Sequence, residues 1–186
     1  MIPPCVFLDR DGVINEELFD YVKKREDFKL LPDVGKAIRR LNENKILAIV
    51  ISNQAGVGKG LYSIDEAEKI NDLMKEELAK EGARLDAVYY CPHHPDDKCP
   101  CRKPEIGMFK KAFLDFGLKL EDCWMIGDKM QDIEAGKRAN CKTILVLTGY
   151  GKKMLEEKDN WHCKPDFIAN NLHQAINLIL SCDKKP

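Results

Sequence analysis

The chain of 186 residues has no apolar run long enough to cross a bilayer, which excludes a helical membrane span. It also lacks net charge, since 30 basic and 31 acidic side chains leave a formal charge of -1. Without a basic stripe, nothing in it points to nucleic acid or to an anionic membrane surface. Met1-Ile2-Pro3-Pro4 has no basic segment and no signal-like apolar stretch, so a cytoplasmic protein is expected. No internal repeat, low-complexity tract or linker interrupts the sequence. One domain is expected over residues 1–182, with a disordered tail at 183–186. A monomer is expected.

Cysteine, by contrast, is plentiful, with eight residues. Cys5, Cys123 and Cys141 lie in or beside apolar strand-like runs, where a free thiol packs as a small hydrophobe. Cys91, Cys99 and Cys101 crowd into one loop, a pattern of metal binding in a reducing compartment. Cys163 and Cys182 carry no assignment. The loop reads Cys91-Pro92-His93-His94-Pro95-Asp96-Asp97-Lys98-Cys99-Pro100-Cys101, a Cys-x-His pair followed by a Cys-x-Cys pair. Four nitrogen and sulfur ligands suit tetrahedral zinc and leave no open position for water, which argues for a structural metal. Spacing alone does not choose between His93 and His94.

The stretch that organises the chain is Cys5-Val6-Phe7-Leu8-Asp9-Arg10-Asp11-Gly12. Its apolar run is too short for a helix and reads as a buried parallel strand. Asp9 then falls at the strand's carboxyl end, where open α/β sheets place ligands. Further strands are expected at 46–51, 85–90, 123–126, 143–147 and 167–168. Helices are expected at about 33–44, 63–80, 106–116, 132–139 and 172–180, the second opened by a Ser63/Glu66 capping box. Strands alternating with helices predict an α/β fold, a doubly wound, Rossmann-like parallel sheet with flanking helices. Residues 15–31 read as a loop or flap. Gly56-Val57-Gly58-Lys59-Gly60 fails the nucleotide-loop pattern and reads either as a substrate-lining loop or as a plain turn. His162, His173, Trp161 and Trp124 read as packing or surface residues.

The strand ends then line up. The first offers Asp9 and Asp11, the second Ser52, the fourth Asp128, and Arg102 and Lys103 follow the third strand's loop. If the first and fourth strands are neighbours, Asp9 and Asp128 converge and call for a hard cation such as Mg²⁺. A hydroxyl and a lysine beside such a site suit a phosphate.

These residues resemble the haloacid dehalogenase-like phosphohydrolases. Asp9-Arg10-Asp11-Gly12 is similar to their first motif, Ser52-Asn53-Gln54 to the second, Lys103-Pro104 to the third, and Gly127-Asp128 with Asp132 to the fourth. The resemblance implies a phosphatase with Asp9 as nucleophile and Asp11 as general acid and base. Mg²⁺ would be held by the side chains of Asp9 and Asp128 and the backbone carbonyl of Asp11. Ser52 and Lys103, with Asn53 and Gln54 of the second motif, would serve substrate binding. Arg102 would bind substrate, its planar fork suiting a phosphate. Lys129 would touch substrate or pair with acids, and Asp132 would orient the metal site or cap its helix. The zinc set implied is Cys91, His93, Cys99 and Cys101.

Within the family, Cys-Pro-His-His-Pro, Cys-Arg-Lys-Pro and Pro-Glu-Ile-Gly-Met resemble the branch that takes the 7-phosphate from a heptose 1,7-bisphosphate, a small phosphorylated sugar. The histidinol-phosphate phosphatases share most of these stretches. The flap at Glu16 to Tyr21 lies where the heptose branch binds sugar but departs from its Asp-His-Gly-Tyr. About fifty residues separate Ser52 from Lys103, and strand, helix and cysteine loop use them, so no large cap domain is expected. A polynucleotide 3'-phosphatase is opposed by the balanced charge. A non-catalytic zinc-stabilised scaffold is opposed by Asp9, Asp11, Ser52, Lys103 and Asp128 all being present.

Overall fold

In the computed structural model, residues 4–182 are described, and the apolar runs form six strands. They are β1 (Cys5–Leu8), β2 (Leu47–Asn53), β3 (Ala87–Cys91), β4 (Trp124–Gly127), β5 (Lys142–Val146) and β6 (Phe167–Ala169). All pair in parallel, in the order β3-β2-β1-β4-β5-β6. Because side chains alternate across a strand, β1 serves two cores: Val6 and Leu8 face one, Cys5 and Phe7 the other. That is why its sequence is apolar without alternation.

Helices cover both faces. On the first lie α1 (Val34–Glu43), α3 (Ile64–Lys80) and α7 (Leu172–Cys182), which bury Ile38, Leu41, Ile70, Met74, Ile176 and Ile179. On the second, α4 (Gly107–Phe116) and α5 (Met130–Arg138) bring in Phe109, Ala112 and Ala135, with the Phe109 ring 4.8 Å from that of Phe7. The chain winds outward from β1 to β3, then returns to lay β4 along β1's other side, with Leu8 opposite Ile126. The carboxyl ends of β1 and β4 thus open at the reversal of winding.

Several boundaries differ from expectation. Residues 55–58 form a helical turn, α2 (Ala55–Gly58), rather than a loop. α5 begins two residues early, because the Asp132 carboxylate accepts a 3.0 Å bond from the Lys129 N–H and caps the first turn. Half of the Ser63 capping box forms, with the Glu66 N–H donating to Ser63 Oγ at 3.1 Å; the Glu66 carboxylate lies 3.4 Å from Lys69 instead. A short helix, α6 (Gly151–Glu156), was not anticipated, since Gly-Lys-Lys-Met-Leu-Glu carries no apolar period. Between β2 and Arg102 the chain builds α2, α3, β3 and the cysteine loop, and no cap domain intervenes. The tail at 183–186 lies outside the described residues, and no described helix is long and apolar enough to cross a membrane.

The second core predicts one measurable cost. Phe109→Ala should lower unfolding free energy by about 3–5 kcal/mol, from lost burial plus the cavity left against Phe7. Urea denaturation checks this, and a loss below about 1 kcal/mol would contradict a shared, tightly packed core.

Candidate active site

A crevice of about 260 Å³ opens over the carboxyl ends of β1, β2 and β4, with Asp9, Asp11, Ser52, Arg102, Lys103 and Asp132 among its lining. Asp9 leaves β1 with its N–H still donating to the Ile126 carbonyl at 3.0 Å, so its position is set by the sheet. Its Oδ1 lies 3.0 Å from Lys103 Nζ. The same ammonium reaches Asp132 Oδ1 at 2.6 Å and donates to the Ile51 carbonyl at 2.8 Å. Burial works against the Lys103 charge, but Asp132 and Asp9 outweigh it and hold the pKa above the ordinary lysine value.

Asn53 delivers that lysine. Its Oδ1 accepts from the Lys103 N–H at 2.9 Å and its Nδ2 donates to the Lys103 carbonyl at 3.0 Å. Both ends of the amide are thereby occupied, although Asn53 also lines the crevice.

Asp128 follows β4 and is fully buried. Its Oδ2 accepts from the Tyr150 N–H at 2.8 Å, while its Oδ1 is buried with no partner. The backbones of Gly12 and Gly149 press on this carboxylate, both at positive φ (83° and 51°). A Cβ on either would stand 2.2 Å from Asp128 Oδ2, so only glycine fits. Burial drives the Asp128 pKa well above the usual carboxylate range, and Asp132 and Asp9 push the same way. Carboxylate oxygens of Asp9, Asp128 and Asp132 all lie within 4.8 Å of one another. A hard, all-oxygen donor set with one orphaned oxygen fits Mg²⁺.

Asp11 faces the crevice but stands apart from that cluster. Arg10 grips it, with Nη2 3.1 Å from both oxygens and Nε 3.2 Å from Oδ1. Asn15 Nδ2 and Gln54 Nε2 each donate at 2.9 Å. Burial raises the Asp11 pKa, but Arg10, Asn15 and Gln54 prevail and bring it below the usual value. Gln54 sits behind the crevice wall, 1% exposed, and its Nε2 also donates to Ser52 Oγ at 2.8 Å.

Of the other anticipated residues, Arg102 lines the crevice, and its Nη1 is buried with no partner. Lys129 reaches in as well, with Nζ 2.7 Å from Glu17 Oε2 and 4.5 Å from the centre of the Tyr150 ring. Burial lowers its pKa, but Asp128, Asp9 and Glu17 outweigh that and raise it. Glu17, Phe19 and Tyr150 complete the rim, the two rings 4.9 Å apart. Only the flap position signalled Glu17 and Phe19. Tyr150 gave no sequence signal, and Arg10 stood in the first motif without an assigned task.

The cysteine loop begins where β3 ends. Cys91 Sγ lies 3.5 Å from His93 Nδ1 and 3.4 Å from Cys99 Sγ. Cys101 Sγ lies 3.4 Å from Cys99 Sγ and 3.2 Å from His93 Nδ1. A tetrahedron with zinc-ligand bonds of about 2.0–2.3 Å has edges of about 3.3–3.8 Å, so the four atoms fit that metal. His94 is turned away, its Nδ1 accepting from the Asp96 N–H at 3.2 Å. Burial pushes the Cys99 thiol up, but hydrogen bonds from Cys91, Cys101 and backbone N–H groups bring it down to about 7. α2 is seated against this loop: a Cβ on Gly58 would fall 2.2 Å from the His94 nitrogen.

A D-glycero-D-manno-heptose-1,7-bisphosphate 7-phosphatase from Thermosynechococcus vestitus is 40% identical over 95% of this chain and 95% of its own. The chain belongs to the haloacid dehalogenase-like phosphatases. The HAD-hydrolase-like family model matches residues 100–175. A D-glycero-beta-D-manno-heptose-1,7-bisphosphate 7-phosphatase from Haemophilus ducreyi is 36% identical over 92% of this chain and 96% of its own. Among solved structures, the D,D-heptose 1,7-bisphosphate phosphatase from B. bronchiseptica, complexed with magnesium and phosphate, superposes with a TM-score of 0.89. It is 32% identical and covers 95% of this chain and 98% of its own. This phosphatase therefore brings Asp9, Asp11, Ser52 and Lys103 to one crevice.

The glycine pair at Asp128 gives a direct test. Gly149→Ala should lower phosphatase activity on an aryl phosphate by about a hundredfold, because the new methyl displaces the carboxylate by an ångström or more. Activity within threefold of the parent would contradict this packing.

Proposed function

We propose that this phosphatase removes the 7-phosphate of D-glycero-D-manno-heptose 1,7-bisphosphate through an aspartyl-phosphate at Asp9. The observation that carries the chemistry is the Asp9 carboxylate held 3.0 Å from the buried Lys103 ammonium, in one crevice with Asp11. The substrate reading rests on relatives of that name, matched over nearly the whole chain.

An Asp9 oxygen attacks phosphorus, and the bond from phosphorus to the sugar oxygen breaks. Asp11 gives its proton to that oxygen, so the sugar leaves as an alcohol. The dianion arriving beside Asp11 favours the protonated form this step needs. A water then attacks phosphorus, Asp11 takes its proton, and inorganic phosphate departs with the Asp9 carboxylate restored. Lys103 lowers the repulsion between the Asp9 carboxylate and the dianion, and Ser52 supplies a hydroxyl to a phosphoryl oxygen. Arg102, with its unpartnered Nη1, suits the phosphate that is not cleaved.

Asp9 and Asp128, with the backbone carbonyl of Asp11, would hold Mg²⁺, and Asp132 stands beside them to orient Asp9 and Lys103. When bound, the ion supplies charge to the phosphoryl oxygens and lets the carboxylates stay ionised. Cys91, His93, Cys99 and Cys101 would hold a structural zinc. Held by such a metal, the loop just before Arg102 and Lys103 would keep both cations over the crevice. A reducing cytoplasmic setting would keep its thiolates available. Every group named comes from one chain.

Phosphate release with Mg²⁺ should show kcat/KM at least a hundredfold higher for a heptose 1,7-bisphosphate anomer than for histidinol phosphate. The reverse preference would move the substrate assignment while leaving the catalytic residues in place. Elemental analysis of protein purified without chelator should find about one zinc per chain. Cys99→Ser should lose it and raise KM as well as lower the melting temperature. Zinc-free protein with parental KM would contradict the structural role.

A further inference from the structure

Behind the crevice lies a buried polar network that the reaction steps do not use. Arg10 is 1% exposed, and its Nη2 donates to Gln54 Oε1 at 2.9 Å as well as to Asp11. Tyr62 O–H donates to the same Gln54 Oε1 at 2.8 Å. Two donors converge on one oxygen, so the amide can face only one way. Its Nε2 is left pointing at Asp11 Oδ2 and Ser52 Oγ, 2.9 and 2.8 Å away. Rotated by half a turn, the amide would set N–H against N–H and O–H and leave Asp11 without that donor.

Tyr62 is itself fixed. Gly56 in α2 presses on its ring, where a Cβ would fall 2.2 Å from Tyr62 Cε1. Burial pushes the Tyr62 pKa up to about 12, so the hydroxyl keeps its proton throughout an assay range. Asn71, buried on α3, offers its Oδ1 to Arg10 Nη1 at a long 3.4 Å and backs the guanidinium on its far side. Arg10 cannot be removed cheaply, because the partly buried Asp11 carboxylate would lose its one charged partner. The Tyr62 hydroxyl can be removed without touching Asp11.

We propose that Tyr62, Gln54 and Arg10 are positioning residues for the Asp11 carboxylate, with Tyr62 setting from behind which way the Gln54 amide faces. This rests on the reading of Asp11 as acid and base. A carboxylate held in one rotamer meets the leaving oxygen in the first step and the water in the second from one place. Loss of the Tyr62 hydroxyl frees the amide to rotate and the carboxylate to wander, without altering the ground-state hold on phosphate by Lys103.

The test is Tyr62→Phe, with p-nitrophenyl phosphate in stopped flow. Its acidic leaving group needs little help from Asp11, so the first release of nitrophenolate reads attack by Asp9. Later turnovers wait on water activated by Asp11. The variant should show a first turnover and a kcat/KM within twofold of the parent and a steady rate about tenfold lower, with KM falling along with that rate. Both phases unchanged, or both slowed equally, would overturn the positioning role; the second result, with a lowered melting temperature, would mark Tyr62 as structural. Asp11→Asn is run beside it. If that variant turns over at the parental steady rate, the reading of Asp11 itself fails; if it stalls while Tyr62→Phe runs normally, only the positioning role fails.

Discussion

Three carboxylates share one buried pocket with a single buried ammonium, and the surrounding structure depends on how that imbalance is met. Unit charges about 4 Å apart interact by about 4 kcal/mol even at an effective dielectric of 20. Lys103 balances one of Asp9, Asp128 and Asp132, and it does so at 3.0 Å from Asp9 and 2.6 Å from Asp132. Asp128 is left with a bare buried oxygen, and burial first, then the neighbouring Asp132 and Asp9, raises its pKa. A divalent cation would meet the deficit of positive charge, and a phosphate dianion brought to it would find charge already arranged. On the proposed function, the energetic cost of crowding like charges would also serve to bind substrate.

Holding this arrangement falls to elements distant in sequence. β1 and β4 are neighbours only because the winding reverses between them, and this sets Asp9 beside Asp128. Lys103 arrives from the far side of β3, tied to β2 through both ends of the Asn53 amide. The cysteine loop anchors the same segment, and α2 is packed against it through Gly58. A short loop thus leads directly into Arg102 and Lys103, which line the crevice.

Much of this was legible in the sequence because parallel strands buried on both faces leave continuous apolar runs. Acids at the ends of such runs can only fall at the ligand-binding edge. Asp9, Asp128 and Ser52 were readable for that reason, and so was the sulfur-rich loop. The rest depends on contacts that no local pattern encodes. Asn53 looks like a substrate ligand but spends its amide on Lys103. Gln54 sits in the second motif, yet its surroundings come from Arg10, 44 residues away, and from Tyr62. His93 and His94 are equivalent by spacing, and only the 3₁₀ turn at Pro95–Asp97, capped by His94, separates them. α6 escaped because a polar six-residue helix is fixed by its surroundings, with Gly151 lying against the Val146 carbonyl, rather than by its own periodicity.

The central claim is that Asp9 is the atom donor to phosphorus, and trapping the intermediate tests it most directly. Protein mixed with substrate and Mg²⁺ is quenched in acid within milliseconds, reduced with borohydride, digested and sequenced by mass spectrometry. An acyl phosphate at Asp9 is converted to homoserine at that position, and the account predicts this product at position 9 and at no other acid. Reduction at Asp11 or Asp128, or no reduced acid in samples quenched while turnover is under way, would contradict it.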